Sequence, residues 1–321
     1  MLNELLERVQ HYDIDTKVKG ITNHLPMALI ALDRLGASPE RLEEYFEFYS
    51  EKLKPLESLS YDEDFNWLEH LGEKEKFNVY LDFYSKQISL YGITSTLRTY
   101  IDKLIQGCAA SAFHALIRLS YGIIQENPKE ITFGLAHMSS HFILLPLPLK
   151  GDTKSQELVN NALNVFSNYT AVGNSVTQRM TDISNHPDFS RINSYPSDLS
   201  LGSFSTLFSQ LYLQSNDFTM LHAVTSSHAM RVVLPYISDE STALKSYWSA
   251  ALVAVLSIKN LNFNEIVEGN SITTDKLNFK NAINSNDDHM IKLVFSCVEE
   301  YRYYNKVNHL KILNGKLKNV T

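Results

Sequence analysis

FTMLHAVTSSHAMRVVLP, residues 218–235, is the stretch on which the reading of the whole chain turns. Its apolar residues recur at the spacing of a helix rather than in strand-like alternation, yet two histidines and an arginine sit among them. Working outward, the same period dominates nearly everywhere. Asn3 to Tyr12 reads as a short amphipathic helix. Pro26 suits the first turn of a second, which stops at Gly36, and Ser38 with Pro39 opens a third that runs towards Pro55. Glu73–Leu90 ends at Gly92. Thr94–Gln125 reads as one long helix, Glu130–Leu145 as another, and the pattern returns at 204–213, 218–234, 241–261, 276–284 and 287–305.

Alternating strand patterns of useful length are absent from this reading, so the expected fold is all-α. It is a multi-helical array of antiparallel helices around a central apolar core, without significant sheet. A single domain over 1–321 is expected, with a hinge or loop at 146–155, where LPLPLKGDTKS interrupts the period, and a long loop at 185–202.

Composition narrows the function. The chain has 321 residues, 44% of them hydrophobic, enough for a full core without staples. A formal net charge of −7 with both signs scattered argues against nucleic acid or an anionic membrane surface as partner. No apolar run reaches the roughly 20 residues needed to span a bilayer. The first twenty residues lack a basic region followed by an apolar one, so a cytoplasmic location is expected. Cys108 and Cys297 both fall in apolar helical patterns and read as packing thiols.

Candidate chemistry rests on histidines within apolar stretches, since a buried imidazole must satisfy two nitrogens or titrate. His24 precedes Pro26 at a helix start, as a turn residue or as a base held neutral by the dipole. His114 and Arg118 share a helix face, and a cation there needs a carboxylate, a helix end or a ligand. His222 and His228 are six residues apart, roughly 120° around a helix axis, so they are not a chelating pair. Arg231 follows His228 by three. His289 follows two aspartates, as part of a well-capped helix or as an imidazole oriented by a carboxylate. His137 and His141 have a metal-compatible spacing, but HMSSH lacks the glutamate of HExxH and reads as a polar helix face. Dinucleotide, Walker, nucleophile-elbow, CxxC and EF-hand patterns are missing.

Taken together, NHLPMALIALDRLGAS (23–38), FHALIRLSYGI (113–123), NPKEITFGLAHMSSH (127–141), LHAVTSSHAMRVVLP (221–235) and NDDHMIKLVFSC (286–297) resemble the questin oxidase-like family over most of the chain. That family includes fungal enzymes of polyketide pathways that open an anthraquinone ring by a Baeyer–Villiger-type oxidation, and bacterial relatives. The resemblance implies an oxidoreductase, a monooxygenase that uses NADPH, and it carries His24, His114, Arg118, His222, His228, Arg231 and His289 over as candidate site residues. The expected substrate is a small aromatic or polyketide-like carbonyl or phenol. His114 or His222 would act as base, and Arg118 or Arg231 would stabilise the oxyanion. Two alternatives stand beside it: several histidines holding one iron or zinc ion, and a non-enzymatic helical ligand-binding or interaction protein with structural histidines.

Overall fold

In a computed structural model, which describes residues 1–58, 63–259, 261, 263 and 277–317, the chain is essentially all-α. In order it forms α1 (Leu2–Val9), β1 (Tyr12–Thr16), α2 (Leu25–Leu35), α3 (Pro39–Ser50), β2 (Leu53–Pro55), α4 (Phe77–Leu104), α5 (His114–Ile124), α6 (Pro128–Ser140), β3 (Leu149–Lys150), α7 (Ser155–Val165), α8 (Val176–Asn185), α9 (Phe189–Ile192), β4 (Ser194–Tyr195), α10 (Leu201–Ser215), α11 (Phe218–Val233), α12 (Glu240–Leu256), α13 (Lys280–Ile283), α14 (Asp288–Tyr304) and α15 (Val307–Leu317). None of the described helices is long and apolar enough to cross a membrane. The expectations for residue 276 and for the tail at 318–321 lie outside the described residues. The chain divides into two compact units, Met1–Ser58 with Val267–Thr321, and Leu59–Ile266.

In the first unit α2 packs on α1, α3 and α14, and α14 packs on α15. The first helix ends earlier than its pattern suggests. In YDIDT the buried Ile14 and Thr16 alternate with more exposed residues, so this segment leaves the helix and pairs antiparallel with β2. Every residue from Leu25 to Leu32 is buried, and Gly36 closes α2 with φ +94°, a left-handed value natural to glycine. Ser38 Oγ caps α3 by accepting from the Arg41 amide at 3.3 Å. The Arg41 guanidinium donates to the carbonyls of Ile283 and Ser285, both at 2.7 Å, and to Asn286 Oδ1 at 2.8 Å, fixing the segment that leads into α14.

His309 in α15 is fully buried, and burial pushes its pKa from 6.5 down to about 4. The unfolded chain therefore binds a proton that the folded chain refuses between those values, and stability falls as pH drops from 6.5 towards 4. This one residue is worth up to about 3 kcal/mol across that window. Urea titrations at pH 7 and pH 4.5 should show the loss, and His309→Gln should reduce it, leaving the share of His141, which burial also lowers to about 4.

In the second unit α5 packs on α6 and α11, α4 on α6, and α10 on α11. The long helix α4 is kinked at Gly92, whose φ of +76° and ψ of +166° are not helical. The reading of Thr94–Gln125 as one helix needs correction. After a single 3₁₀ turn at Ile105–Gly107 the chain passes through Ser111, Ala112 and Phe113, all with positive φ, and α5 begins at His114. Asn127 then caps α6 through the amides of Lys129 and Glu130.

The α5–α6 crossing is close because both helices present glycine. A Cβ on Gly134 would lie 2.5 Å from the Leu119 Cα, and one on Gly122 would lie 2.8 Å from the Ile131 amide nitrogen. Gly134→Ala is expected to destabilise the fold by about 3 kcal/mol through overpacking against backbone, measured by urea denaturation.

The stretches read as loops at 146–155 and 185–202 hold β3, α9 and β4, with β3 and β4 paired in parallel. Buried side chains tie them down. Asn193 Nδ2 and Ser249 Oγ both donate to the Pro146 carbonyl at 2.8 Å, and Trp248 Nε1 donates to the Ser194 carbonyl at 2.6 Å.

Candidate functional site

In the second unit the structure brings His114 and His222 face to face. On α11, His222 Nδ1 donates to the Phe218 carbonyl one turn back at 2.8 Å. At the start of α5, His114 Nδ1 donates to the Ser111 carbonyl at 2.5 Å. A carbonyl only accepts, so both rings carry their proton on Nδ1 and both present a lone pair on Nε2. Those two Nε2 atoms are 3.1 Å apart, with ring centroids 4.6 Å apart. Two lone pairs at hydrogen-bond distance repel, so the arrangement favours one proton held between them, or one metal cation clasped by both. Chemically the pair is a preformed acceptor for a single positive charge.

His228 lies further along α11 and is buried, and Arg231 is half-buried on the same helix. Arg118 is only 1% exposed, as is Glu130 on α6. Its Nε donates to Glu130 Oε2 at 3.0 Å and its Nη2 to Oε1 at 3.3 Å, while the guanidinium carbon sits 4.4 Å from the Phe133 ring centroid. Of the partners open to Arg118 on sequence grounds, the structure supplies the carboxylate. His137, on α6, hydrogen-bonds Ser111 Oγ through Nε2 at 2.9 Å, and its ring meets that of His141 edge-on at 4.8 Å.

Within the first unit, side chains gather where the starts of α2 and α14 meet. His24 Nδ1 donates to Asp288 Oδ2, so this nitrogen carries a proton whether the ring is neutral or charged. His289 Nδ1 is 3.2 Å from the same oxygen, and the His24 and His289 rings meet edge-on at 4.8 Å. Lys292, one turn along α14 and 2% exposed, places Nζ 3.6 Å from Asp288 Oδ2. Burial alone would raise the Asp288 carboxyl. The His24 hydrogen bond, with the charges of His24, Lys292 and His289, overrides it and holds the carboxyl well below the usual range. Burial likewise lowers the Lys292 ammonium, against the pull of Asp288. Tyr45 and Tyr49 stay protonated, their pKa values raised by burial and by the Asp288 charge. Donor atoms of Asp287, Asp288 and His289 lie within 4.8 Å of one another, but the Lys292 ammonium already answers the carboxylate that a cation would need.

Sequence reasoning passed over Ser111, Glu130 and Lys292. Lys292 had a local signal, standing four residues after Asp288 on one helix face. Glu130 had none, because its partner is on another helix. Among the described residues the only parallel strand pairing is two residues long, and no strand–glycine turn–helix unit is present to hold a dinucleotide pyrophosphate, so the groups here do not fit NADPH in that mode. An open hollow of about 540 Å³ on the second unit is lined by Trp67, Leu68, Leu71, Lys103 and Phe142, with none of the candidate histidines among them. Both thiols are buried, and burial pushes Cys108 up to about 12.

Comparison with known proteins places this chain in a family. The chain matches the questin oxidase-like family over residues 21–208 and 213–297, and belongs to it. It is similar to the Baeyer-Villiger oxidase AgnL3 of Paecilomyces divaricatus, 28% identical over 156 residues, which is 43% of this chain and 33% of that protein. It is also similar to the Baeyer-Villiger monooxygenase dmxR6 of Cryptosporiopsis sp. (strain 8999), 26% identical over 152 residues, 43% of this chain and 34% of the relative. The matched stretch thus spans about a third of either relative's length.

Proposed function

We propose that this protein is an oxidoreductase that inserts oxygen beside the carbonyl of a small aromatic or polyketide-like phenol, in a Baeyer–Villiger-type reaction. The observation that carries the reading is the facing Nε2 pair of His114 and His222. A base that takes a phenolic proton must hold it, and a second imidazole 3.1 Å away stabilises the imidazolium that results. The phenolate so formed is the electron-rich species that oxygen chemistry needs. Arg118 is held by Glu130, and Arg231, half-buried on the same helix as His222, is the second candidate for stabilising the oxyanion. His24 and His289, oriented by Asp288, supply acid–base capacity in the first unit. Overall, a ketone and O2 with two electrons and two protons give an ester and water. The family resemblance implies NADPH as electron donor.

The names of both curated relatives support this reading. The test is incubation of the full chain with a hydroxyanthraquinone, with and without NADPH, followed by oxygen uptake and mass spectrometry. Uptake with a product one oxygen atom heavier is expected. Binding without uptake would favour the helical ligand-binding alternative. Because the same two nitrogens suit one iron or zinc ion, metal analysis of untagged protein accompanies the assay, and stoichiometric metal lost together with activity would favour the metal reading.

A further inference from the structure

Three consecutive non-glycine residues, Ser111, Ala112 and Phe113, have φ of +48°, +52° and +70°. Each such residue costs about 1–2 kcal/mol, and runs of them are not expected without compensation. The turn lies at the foot of α5, where it does two things. It presents the Ser111 carbonyl to the amide of His114 at 3.2 Å and to His114 Nδ1 at 2.5 Å. It also sends the Ser111 hydroxyl the other way, to His137 Nε2 at 2.9 Å. His137 stands three residues after Gly134, on the part of α6 held closest to α5, so the latch is mounted on a rigid helix. Phe113 anchors the far end of the turn, 1% exposed and edge-on to Tyr247.

We propose that His137 is a positioning residue: by latching Ser111 in the left-handed turn it fixes His114 as the Nδ1–H tautomer and aims its Nε2 at His222. Without the latch the turn relaxes towards ordinary backbone geometry, the Ser111 carbonyl swings off Nδ1, and His114 is free to place its proton on Nε2 instead. This rests on the proposed role of His114 as base, but its first readout does not depend on it.

The experiment is ¹⁵N NMR of histidine-labelled full-length protein, wild type against His137→Leu, His137→Gln and Ser111→Ala, with turnover of a hydroxyanthraquinone measured in parallel. Wild type should show His114 protonated on Nδ1. His137→Leu and Ser111→Ala should lose that signal and, where turnover exists, lose roughly ten- to a hundredfold of it. His137→Gln keeps a polar group for the Ser111 hydroxyl and should restore both in part. Retention of the Nδ1–H signal in folded His137→Leu overturns the proposal. If that variant does not fold, retention in Ser111→Ala does so. Loss of the signal with unchanged turnover, or with no turnover even in wild type, leaves the positioning role standing and sinks the role of His114 as base.

Discussion

Replacing Glu130 with alanine is expected to destabilise the protein by about 3–5 kcal/mol, seen as a lowered urea midpoint, because it strands the Arg118 guanidinium without its carboxylate. Both partners are 1% exposed, and two N–H···O bonds join them, so water cannot replace what is lost. The penalty belongs to the orphaned charge rather than to the pair. Arg118→Met with Glu130→Leu removes both charges and keeps the volume, and should therefore return stability to near the wild-type value or above it. The same double variant separates structure from chemistry. Turnover that survives it shows that Arg118 braces α5 against α6 and is not needed to stabilise the oxyanion. A folded double variant without turnover would return Arg118 to the reacting centre.

The second large effect concerns turnover. His114→Ala and His222→Ala are each expected to slow oxidation of a hydroxyanthraquinone by about 10²–10⁴-fold, the range for loss of a positioned general base. Stability should suffer far less than in Glu130→Ala. Either ring can be removed without stranding a charge, and the Ser111 carbonyl keeps the amide of residue 114 as a donor. Steady-state kinetics with circular dichroism on each variant checks both halves of the statement.

The parts of the fold readable from sequence were those governed by neighbours in the chain. Ser38 with Pro39, Asn127 with Pro128, Gly36 and Gly92 all punctuate the helices where their side-chain and backbone preferences place them. The turn at Ser111–Phe113 was invisible, because none of its residues favours a left-handed backbone and what holds it is a hydroxyl bond to another helix. The hidden short strands β3 and β4 depend likewise on distant side chains, Asn193 and Trp248. Among the site candidates, the placing of His24, His114 and His222 in apolar helical segments marks them out. Their partners did not follow from that: the meeting of His114 with His222 is set by α5 packing on α11, and that of His24 with Asp288 by α2 packing on α14. His137, which looked least promising as half of a metal pair, gains its place through Ser111 instead.

The measurement that bears most directly on the histidine pair is a double-mutant cycle in turnover, comparing His114→Ala, His222→Ala and the variant carrying both, on one hydroxyanthraquinone at one pH. Two rings that hold one proton act as a unit, so the double variant should be no slower than the worse single variant. Single losses that multiply in the double variant, or single variants that keep full turnover, would contradict the account.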